Sequence, residues 1–184
     1  MARDVLIVSD THGRVTRLNE LIAYRQKLLS KGEILNLIFL GDGLKDLFVC
    51  KEYDNIITHT VRGNCDIGVL FSPYGEEIPF YRVIILGNYR VFIAHGHTFS
   101  VKYERDELCR AAAAENADIV LFGHTHVPTL EYIEKGSIRG VDKELVLFNP
   151  GSLGDFDGSF GNLSLSDNAF ILSHGKYLNI INNK

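Results

Sequence analysis

The chain has 184 residues, of which 46% are hydrophobic and 23% charged, and its formal net charge is −4. This composition predicts a soluble globular protein, and the acidic balance gives no reason to expect affinity for nucleic acids or anionic membranes. Cys50, Cys65 and Cys109 are odd in number and widely spaced, which favours a reduced, cytoplasmic protein over a disulfide framework. Residues 1–4 run directly into a strand pattern without a signal-peptide layout, and no apolar stretch is long enough to span a bilayer.

The front half of the chain alternates strand and helix patterns. Continuous apolar runs at residues 4–8, 34–40 and 56–61 predict buried strands. Apolar residues at helical spacing predict a helix over residues 15–30, and a second, short helix is predicted over residues 44–51. This alternation is typical of sheets that contain parallel strands.

The back half is richer in strands. Residues 69–94 have the pattern of short strands ending in an apolar run at 90–94, residues 104–116 that of a helix, and residues 119–122 that of another strand. Four hairpin-like strands and one loop rich in Gly, Ser and Asp are predicted for the remainder: strands at 130–134, 145–148, 169–173 and 177–181, and the loop at 151–168. The whole pattern predicts one domain, residues 1–184, of mixed sheets packed together with helices outside.

Each well-marked strand leads into a short motif with side chains that can bind metals. The motifs, in chain order, are SDTHG, GDG, RGNCD, HGH and GHTH. Because sites form outside the carboxyl ends of parallel strands, we expect the five motifs to converge. His124 and His126 are two residues apart, so an extended chain would present both imidazoles to one spot. The candidate ligands are Asp10, His12, Asp42, Asn64, His95, His124 and His126.

This set of ligands suits a pair of divalent cations. Imidazoles, carboxylates and an amide oxygen bind first-row metals, and no cysteines recur at the spacing of a structural zinc site. Seven side chains are too many for one ion, whereas two ions that share a carboxylate would use them and leave room for water. Two metals roughly 3.5–4 Å apart form the clamp used for in-line attack on phosphate esters.

Each motif alone also has a structural explanation. Asp10 could cap a helix, Asp42 between two glycines is an ordinary turn residue, and His95 could be a hydrogen-bonded core histidine. However, five of the seven histidines lie in three glycine-containing motifs at strand ends. Free placement of core histidines does not explain that pattern, which therefore favours a metal site. Asp155 and Asp157 resemble part of a calcium loop but lack its full pattern.

The ordered motifs D-x-H, GD, GN, H and GHxH, together with a later NPGS, resemble the calcineurin-like metallophosphoesterase superfamily and, more closely, its YfcE-type phosphodiesterases. The resemblance covers nearly the whole chain. It implies an α/β fold, a four-layer αββα sandwich of two mixed sheets flanked by helices. It also implies an enzyme that hydrolyses small phosphate diesters with two divalent metal ions. Manganese is the first choice, with zinc, iron, nickel and cobalt as alternatives. The edges of the predicted sheets could pair between chains, which would give a homo-oligomer.

Roles follow from this resemblance position by position. The first ion would be held by Asp10, His12 and His126, the second by Asn64, His95 and His124, with Asp42 bridging. A metal-bridging hydroxide would be the nucleophile. The residues expected to take part in catalysis are Asp42, Asn64, His95, Asp66 and His97.

One departure from the family concerns the leaving group. In many members a histidine follows the GN pair and helps to protonate the leaving group, but here that position is Cys65. Because an unperturbed thiol has a pKa of about 8.5, we expect diesters with good leaving groups rather than alkyl monoesters. Asp66 and His97 could supply a proton or support a ligand. Asn149 and Ser152 are expected to form the wall of the site.

Two other functions stay open from the sequence. One is a non-catalytic, protein-binding scaffold of the Vps29 type, which can tolerate damage to its ligand set. The other is a phosphomonoesterase. All seven ligand positions carry competent residues here, which favours the enzyme over the scaffold.

Overall fold

The computed structural model describes residues 3–182; the four terminal residues of the predicted domain 1–184 lie outside this range. The strands are β1 (Arg3–Val8), β2 (Asn36–Phe39), β3 (Ile57–Thr60), β4 (Tyr81–Leu86), β5 (Tyr89–Ala94), β6 (Ile119–Leu121), β7 (Thr129–Ile133), β8 (Leu145–Asn149), β9 (Ser159–Leu165) and β10 (Phe170–Lys176). The helices are α1 (Val15–Lys27), α2 (Leu44–Phe48), α3 (Asp106–Ala114) and α4 (Tyr177–Asn182).

The first sheet has the strand order β10-β9-β1-β2-β3. Its three front-half strands are parallel, and their last residues are aligned: Val8 lies opposite Phe39, which lies opposite Thr60. Strand β9 runs antiparallel to β1, and β10 antiparallel to β9. The loops that follow β1, β2 and β3 therefore leave the sheet at one edge.

The second sheet has the order β4-β5-β6-β8-β7 and is also mixed. Strands β5, β6 and β8 are parallel, with Ile93 opposite Leu121 and Leu121 opposite Phe148. The outer strands β4 and β7 pair antiparallel with their neighbours. The loops after β5 and β6 leave this sheet together.

The two sheets pack face to face, with helices on both outer sides. Along β1, Val5 and Ile7 pack between the sheets, whereas Leu6 and Val8 pack under α1, α2 and α4. This is the alternation of a strand that is covered on both faces. Helix α3 covers the outer face of the second sheet. The predicted four-layer αββα sandwich is therefore confirmed.

Two predictions for the back half were wrong. The predicted loop at 151–168 contains strand β9, which pairs with both β1 and β10. Gly161 lies within this strand and not in a turn, and it packs closely against the second sheet, because a Cβ there would lie 2.9 Å from Cζ of Phe148. The predicted strand at 177–181 is helix α4, which buries Tyr177 and Ile180 three residues apart. A short apolar run fits both the helical and the strand period, so periodicity alone did not distinguish a helix from a strand at residues 177–181.

Other boundaries shift slightly. Helix α1 ends at Lys27, short of the predicted residue 30, and the stretch at 69–80 holds only an isolated bridge between Phe71 and Glu77 among the described residues. No helix within residues 3–182 is long and apolar enough to cross a membrane.

Candidate metal centre

Backbone hydrogen bonds join the loops of the two sheets at one place. Asp10 N donates to the carbonyl of Gly41 at 3.0 Å, which links the loops after β1 and β2. Gly123 N donates to the carbonyl of His95 at 3.0 Å, which links the loops after β6 and β5. His124 N then donates to Oδ2 of Asp10 at 3.1 Å and connects the second sheet to the first. Four of the five motifs that the sequence places at strand ends thus meet.

One cluster is formed by Asp10, His12 and His126, whose ligand atoms lie within 4.8 Å of one another. His126 Nε2 lies 3.3 Å and His12 Nε2 lies 3.6 Å from Oδ1 of Asp10. The two Nε2 atoms are 3.2 Å apart. Oδ2 of Asp10 accepts a hydrogen bond from the Ser9 hydroxyl at 2.5 Å, so Oδ1 is the oxygen that faces the imidazoles.

A second cluster is formed by Asp42, His95 and His124. His95 Nε2 lies 3.3 Å from Oδ2 of Asp42, and the His95 Nδ1–H donates to the carbonyl of Leu40 at 2.7 Å. That bond orients the ring and directs Nε2 toward the carboxylates. Asp42 also forms a group with His12 and Cys65, and so lies between the two clusters.

Two atoms at the centre of these clusters are buried without a hydrogen-bond partner, namely Oδ1 of Asp10 and Nε2 of His95. They lie 3.9 Å apart, and neither side chain is exposed to solvent. Buried acceptors without partners are costly in a folded protein. A carboxylate oxygen and an imidazole nitrogen facing each other in this way fit a divalent cation, which would satisfy both.

The backbone of these motifs is strained. Asp10, Asp42 and three of the histidines have φ between +45° and +67°, the left-handed region that side chains other than glycine adopt rarely; the histidines are His12, His124 and His126. Such residues cost of order 1–3 kcal/mol each and cluster at functional sites. Five of the seven predicted ligands therefore sit in conformations that the surrounding structure must impose.

Charge is distributed unevenly over the clusters. Burial would raise the pKa of Asp42, but the His95 imidazole and the Cys65 N–H outweigh it and hold the pKa at about 2. The Asp10 carboxylate raises the pKa of His126 to about 9. Burial and the neighbouring His95 lower the pKa of His124 to about 4. Without metal, the site therefore combines ionised carboxylates, a protonated His126 and a neutral His124 at neutral pH.

Two glycines let the loops after β2 and β3 touch. A Cβ on Gly41 would lie 2.5 Å from the backbone nitrogen of Gly63, and Gly41 has a φ of +93°. This contact allows Cys65 N to donate to Oδ1 of Asp42 at 2.7 Å. The glycines of the GD and GN motifs are thus required by close approach of two backbones.

Asp66 joins the same two loops. Its buried carboxylate accepts four backbone N–H groups at 2.8–2.9 Å, from Asp42, Gly43, Leu44 and Gly63. Both oxygens are therefore used, and this geometry does not support the predicted role of Asp66 in proton transfer. The arrangement instead holds Asp42 in place.

Two carboxylates that support the candidate ligands were not recognised in the sequence. Oδ2 of Asp46 accepts from the Thr11 hydroxyl at 2.5 Å and from Gly13 N at 2.7 Å, which holds the loop after β1. Oδ1 of Asp155 lies 3.1 Å from Nδ1 of His126. A carboxylate on the far nitrogen of a histidine is a common support for a metal ligand. Neither contact has a local sequence signal, because the partners are separated by 29 to 35 residues.

Asn149 and Ser152, which the sequence assigns to the wall of the site, are buried and bind the backbone of the motif loops. The Asn149 amide donates to the carbonyl of Gly123 at 2.8 Å and to the Thr125 hydroxyl at 3.1 Å, which braces the GHTH turn. The Ser152 hydroxyl donates to the carbonyl of Asp10 at 2.9 Å. Both residues act on the backbone that carries the ligands.

Comparison with known proteins agrees with this geometry. Residues 4–176 match the calcineurin-like phosphoesterase superfamily domain. The chain belongs to the calcineurin-like phosphoesterase superfamily. Phosphodiesterase YfcE of Escherichia coli K12 is 31% identical to it over an alignment of 162 residues, which covers 81% of this chain and 78% of that protein.

Two solved structures are similar to this phosphoesterase domain. A Streptococcus pneumoniae protein described as a predicted phosphoesterase has a TM-score of 0.69 at 22% identity, covering 96% of this chain and 91% of that chain. Vacuolar Protein Sorting 29 from Cryptosporidium parvum has a TM-score of 0.65 at 20% identity, covering 95% of this chain and 97% of that chain. At these identities the two structures show the fold alone. The predicted family is therefore confirmed. Membership of this family also confirms the prediction that the chain is a metallophosphoesterase.

The remaining predicted residues of this phosphoesterase domain lie beside the clusters. Asn64, the seventh predicted ligand, follows β3, and its Nδ2 donates to Sγ of Cys65 at 3.3 Å. His97 follows β5; its ring centroid is 5.3 Å from that of His95 and 6.1 Å from that of His124. Asn64 and His97 also line a neighbouring cleft of about 360 Å³.

Proposed function

We propose that this chain is a metal-dependent phosphodiesterase that binds two divalent cations in the candidate metal centre. The observation that carries the proposal is a pair of buried ligand atoms without a hydrogen-bond partner, Oδ1 of Asp10 and Nε2 of His95, at the centre of a group of imidazoles and carboxylates. This donor set is the one expected for first-row divalent metals.

The two clusters suggest how the ligands divide. We assign one cation to the cluster of Asp10, His12 and His126 and the other to the cluster of Asp42, His95 and His124. Asp42 also groups with His12, which supports its role as the bridging carboxylate. We assign Asn64 to the second cation, because its neighbour Cys65 is hydrogen-bonded to Asp42.

The protein's own residues prepare the site for a phosphate diester. When bound, two such cations supply a hydroxide nucleophile from water at neutral pH and neutralise charge on the phosphoryl oxygens. Leu40 and Asp155 orient the imidazoles of His95 and His126 through their far nitrogens. Asp66 and the close approach of Gly41 and Gly63 hold Asp42. The side chains are therefore arranged before substrate binds, which is how electrostatic catalysis avoids reorganisation.

The candidate proton donors beside the metal centre are poor acids. Burial and the Asp42 carboxylate raise the pKa of Cys65 to about 11. Burial and the neighbouring His95 lower the pKa of His97, which is therefore neutral at pH 7. The Asp66 carboxylate is occupied by backbone N–H groups. We infer that the enzyme acts on diesters whose leaving groups depart without strong proton assistance, and that Asp66 positions the loops.

The alternatives lead to different results. A scaffold of the Vps29 type is consistent with the structural likeness, but it would not need six imidazole and carboxylate ligands brought within two clusters. A phosphomonoesterase would need a stronger proton donor for alkyl substrates than the Cys65 position offers. Manganese as the metal, a cytoplasmic location and a homo-oligomer stay predictions from the sequence.

The decisive assay is hydrolysis of bis-p-nitrophenyl phosphate by the Mn²⁺-loaded protein. We expect activity in the wild type and a loss of about 100-fold or more in Asp42→Asn, because the substitution removes the shared negative charge. Asp142→Asn, which changes an exposed carboxylate elsewhere, should keep full activity. If the wild type and Asp42→Asn are equally inactive with Mn²⁺, Zn²⁺, Ni²⁺ and Co²⁺, the proposed phosphodiesterase activity is excluded. Faster hydrolysis of p-nitrophenyl phosphate than of the diester would favour the monoesterase.

A further inference from the structure

The cleft beside the second cluster, which we call the Phe80 cleft, is lined by both polar and apolar side chains. It has a volume of about 360 Å³ and includes Arg62, Asn64, Ile67, Phe80 and His97. Ligand-binding pockets commonly begin at about 300 Å³. Asn64 and His97 belong to motifs of the candidate metal centre, so a substituent on a phosphate held there can reach the cleft.

The Phe80 ring is held in place by a cation over one of its faces, and part of the ring stays exposed to solvent. The Arg62 guanidinium carbon lies 4.2 Å from the centroid of the ring, and the His97 ring packs against it at an interplanar angle of 72°. Arg62 N also donates to the carbonyl of Pro79 at 2.8 Å, which fixes the chain just before the ring. Phe80 nevertheless stays 42% exposed.

Part of the apolar surface of the cleft is exposed to solvent. Ile67 is 81% exposed, although it lines the same cleft as the open part of Phe80. Single exposed apolar residues need no explanation, but two that line one cleft beside a polar site are typical of a binding surface.

Arg62 brings a positive charge that the described residues do not neutralise. Within residues 3–182, no carboxylate lies at ion-pair distance from its guanidinium, and Nε is buried without a hydrogen-bond partner. Asp66 lines the same cleft, but its oxygens accept backbone N–H groups. The cleft is therefore an apolar and aromatic wall with a cation at its side.

We propose that the Phe80 cleft binds the second ester substituent of the diester, and that this substituent is a planar aromatic group stacked on Phe80. A flat ring would cover Phe80 and Ile67 and gain a stacking contact, which a short alkyl substituent would not. Aryl groups and nucleobases share this chemistry. The inference rests on the proposed function in taking the ligand to be a phosphate diester, and it adds the class of substituent that the site selects.

The test compares diesters that share one leaving group. The Mn²⁺-loaded enzyme is assayed with the p-nitrophenyl diesters of methanol, phenol and thymidine (through its 5′-oxygen), so that only the retained substituent differs. We expect kcat/KM to be about tenfold higher for at least one aromatic substituent than for methyl, the size of one aromatic contact. A preference for thymidine over phenyl identifies nucleoside diesters, and the reverse order identifies aryl diesters.

Two matched variants locate the preference. Phe80→Leu keeps an apolar side chain but removes the ring, and should reduce the ratio of kcat/KM for the aromatic diester to that for the methyl diester to about twofold or less. Phe156→Leu removes a ring that is 87% exposed in the separate cavity beside His126, and should keep the preference. Thermal unfolding checks that both variants are folded. Equal rates for methyl and aromatic diesters, or a preference that Phe156→Leu removes and Phe80→Leu does not, would overturn the inference.

A binding measurement separates this inference from the proposed function. Diphenyl phosphate and dimethyl phosphate are titrated into the Mn²⁺-loaded wild type and Phe80→Leu by calorimetry. Tighter binding of diphenyl phosphate that depends on Phe80, without hydrolysis of any diester, supports the cleft and rejects the phosphodiesterase. Hydrolysis without any aromatic preference in rate or binding rejects the cleft and supports the phosphodiesterase.

Discussion

Nε2 of His126 lies 3.3 Å from Oδ1 of Asp10, a carboxylate oxygen buried without a hydrogen-bond partner. The imidazole is in this way held against a negative charge that water does not reach. The charge raises the pKa of His126 from 6.5 to about 9. Metal and proton therefore compete for the same nitrogen.

This competition predicts the pH dependence of metal binding. Because the pKa of His126 is raised, its imidazole stays protonated below about pH 9 in the metal-free protein. Metal binding to this imidazole must therefore release the proton. The apparent Mn²⁺ affinity should rise by at least about tenfold per pH unit between roughly pH 6.5 and 8.5, because the pKa values of His12 and His95 are raised as well. Calorimetry in buffers of different ionisation enthalpy should detect the release of at least about one proton per protein on metal binding. An affinity that does not change with pH would contradict the assignment of His126 as a ligand.

The contact between Asp155 and His126 predicts a second effect on metal binding. Asp155→Ala removes the carboxylate 3.1 Å from Nδ1 of His126, so the ring loses its orientation and part of its basicity. Metal affinity should fall about 10- to 100-fold, measured by competition with a chelating dye. The matched control is Asp157→Ala, since Asp157 is exposed and its ion pair with Lys176 is 3.9 Å long. Equal losses in the two variants would show that Asp155 has no special role.

Because four backbone N–H groups bind the Asp66 carboxylate, we expect a substitution of Asp66 to lower stability and not to remove a proton donor. In Asp66→Asn the amide has one acceptor oxygen, so some of the N–H groups from the loops after β2 and β3 lose their partner. The free energy of unfolding should fall by about 2–4 kcal/mol, measured by denaturant titration. Asp142→Asn, at an exposed position, should change it by less than about 0.5 kcal/mol.

The pH profile separates the two roles of Asp66. If Asp66 only positions the loops, kcat of Asp66→Asn is lower but its dependence on pH keeps the wild-type shape. Disappearance of one limb of the profile, with normal stability, would restore Asp66 as a proton donor.

The convergence of the five motifs could be predicted from the sequence because it depends on local signals and one topological rule. Short apolar runs identify buried strands, and parallel strands place their carboxyl ends at one edge. Asp10 and Asp42 follow two such strands, β1 and β2, which are neighbours in the sheet. His95 and His124 follow β5 and β6, neighbours in the second sheet. The pairing of strands was enough to bring these residues together.

The supports of the site could not be predicted in this way, because they depend on contacts between distant parts of the chain. Asp155 lies 29 residues from His126, and Asp46 lies 35 residues from Thr11. Both are ordinary polar residues in the sequence, and their roles follow only from how the loops pack. Strand β9 was missed for a related reason: its small residues fit the packing between sheets, yet in sequence they are typical of a loop.

The close approach of Gly63 to Asp42 predicts that one methyl group will disturb the metal centre. A Cβ at position 63 would lie 2.5 Å from the backbone nitrogen of Asp42 and close to its Oδ1, so Gly63→Ala must push the two loops apart. Metal affinity should fall at least about tenfold and stability by about 1–3 kcal/mol. Gly68→Ala is the control, because a Cβ there meets no atom within 4 Å; its φ of +78° costs about 1 kcal/mol but leaves metal affinity within about twofold. Calorimetric titration of Mn²⁺ into both folded variants measures the difference, and wild-type affinity in Gly63→Ala would show that Asp42 does not need this contact to bind metal.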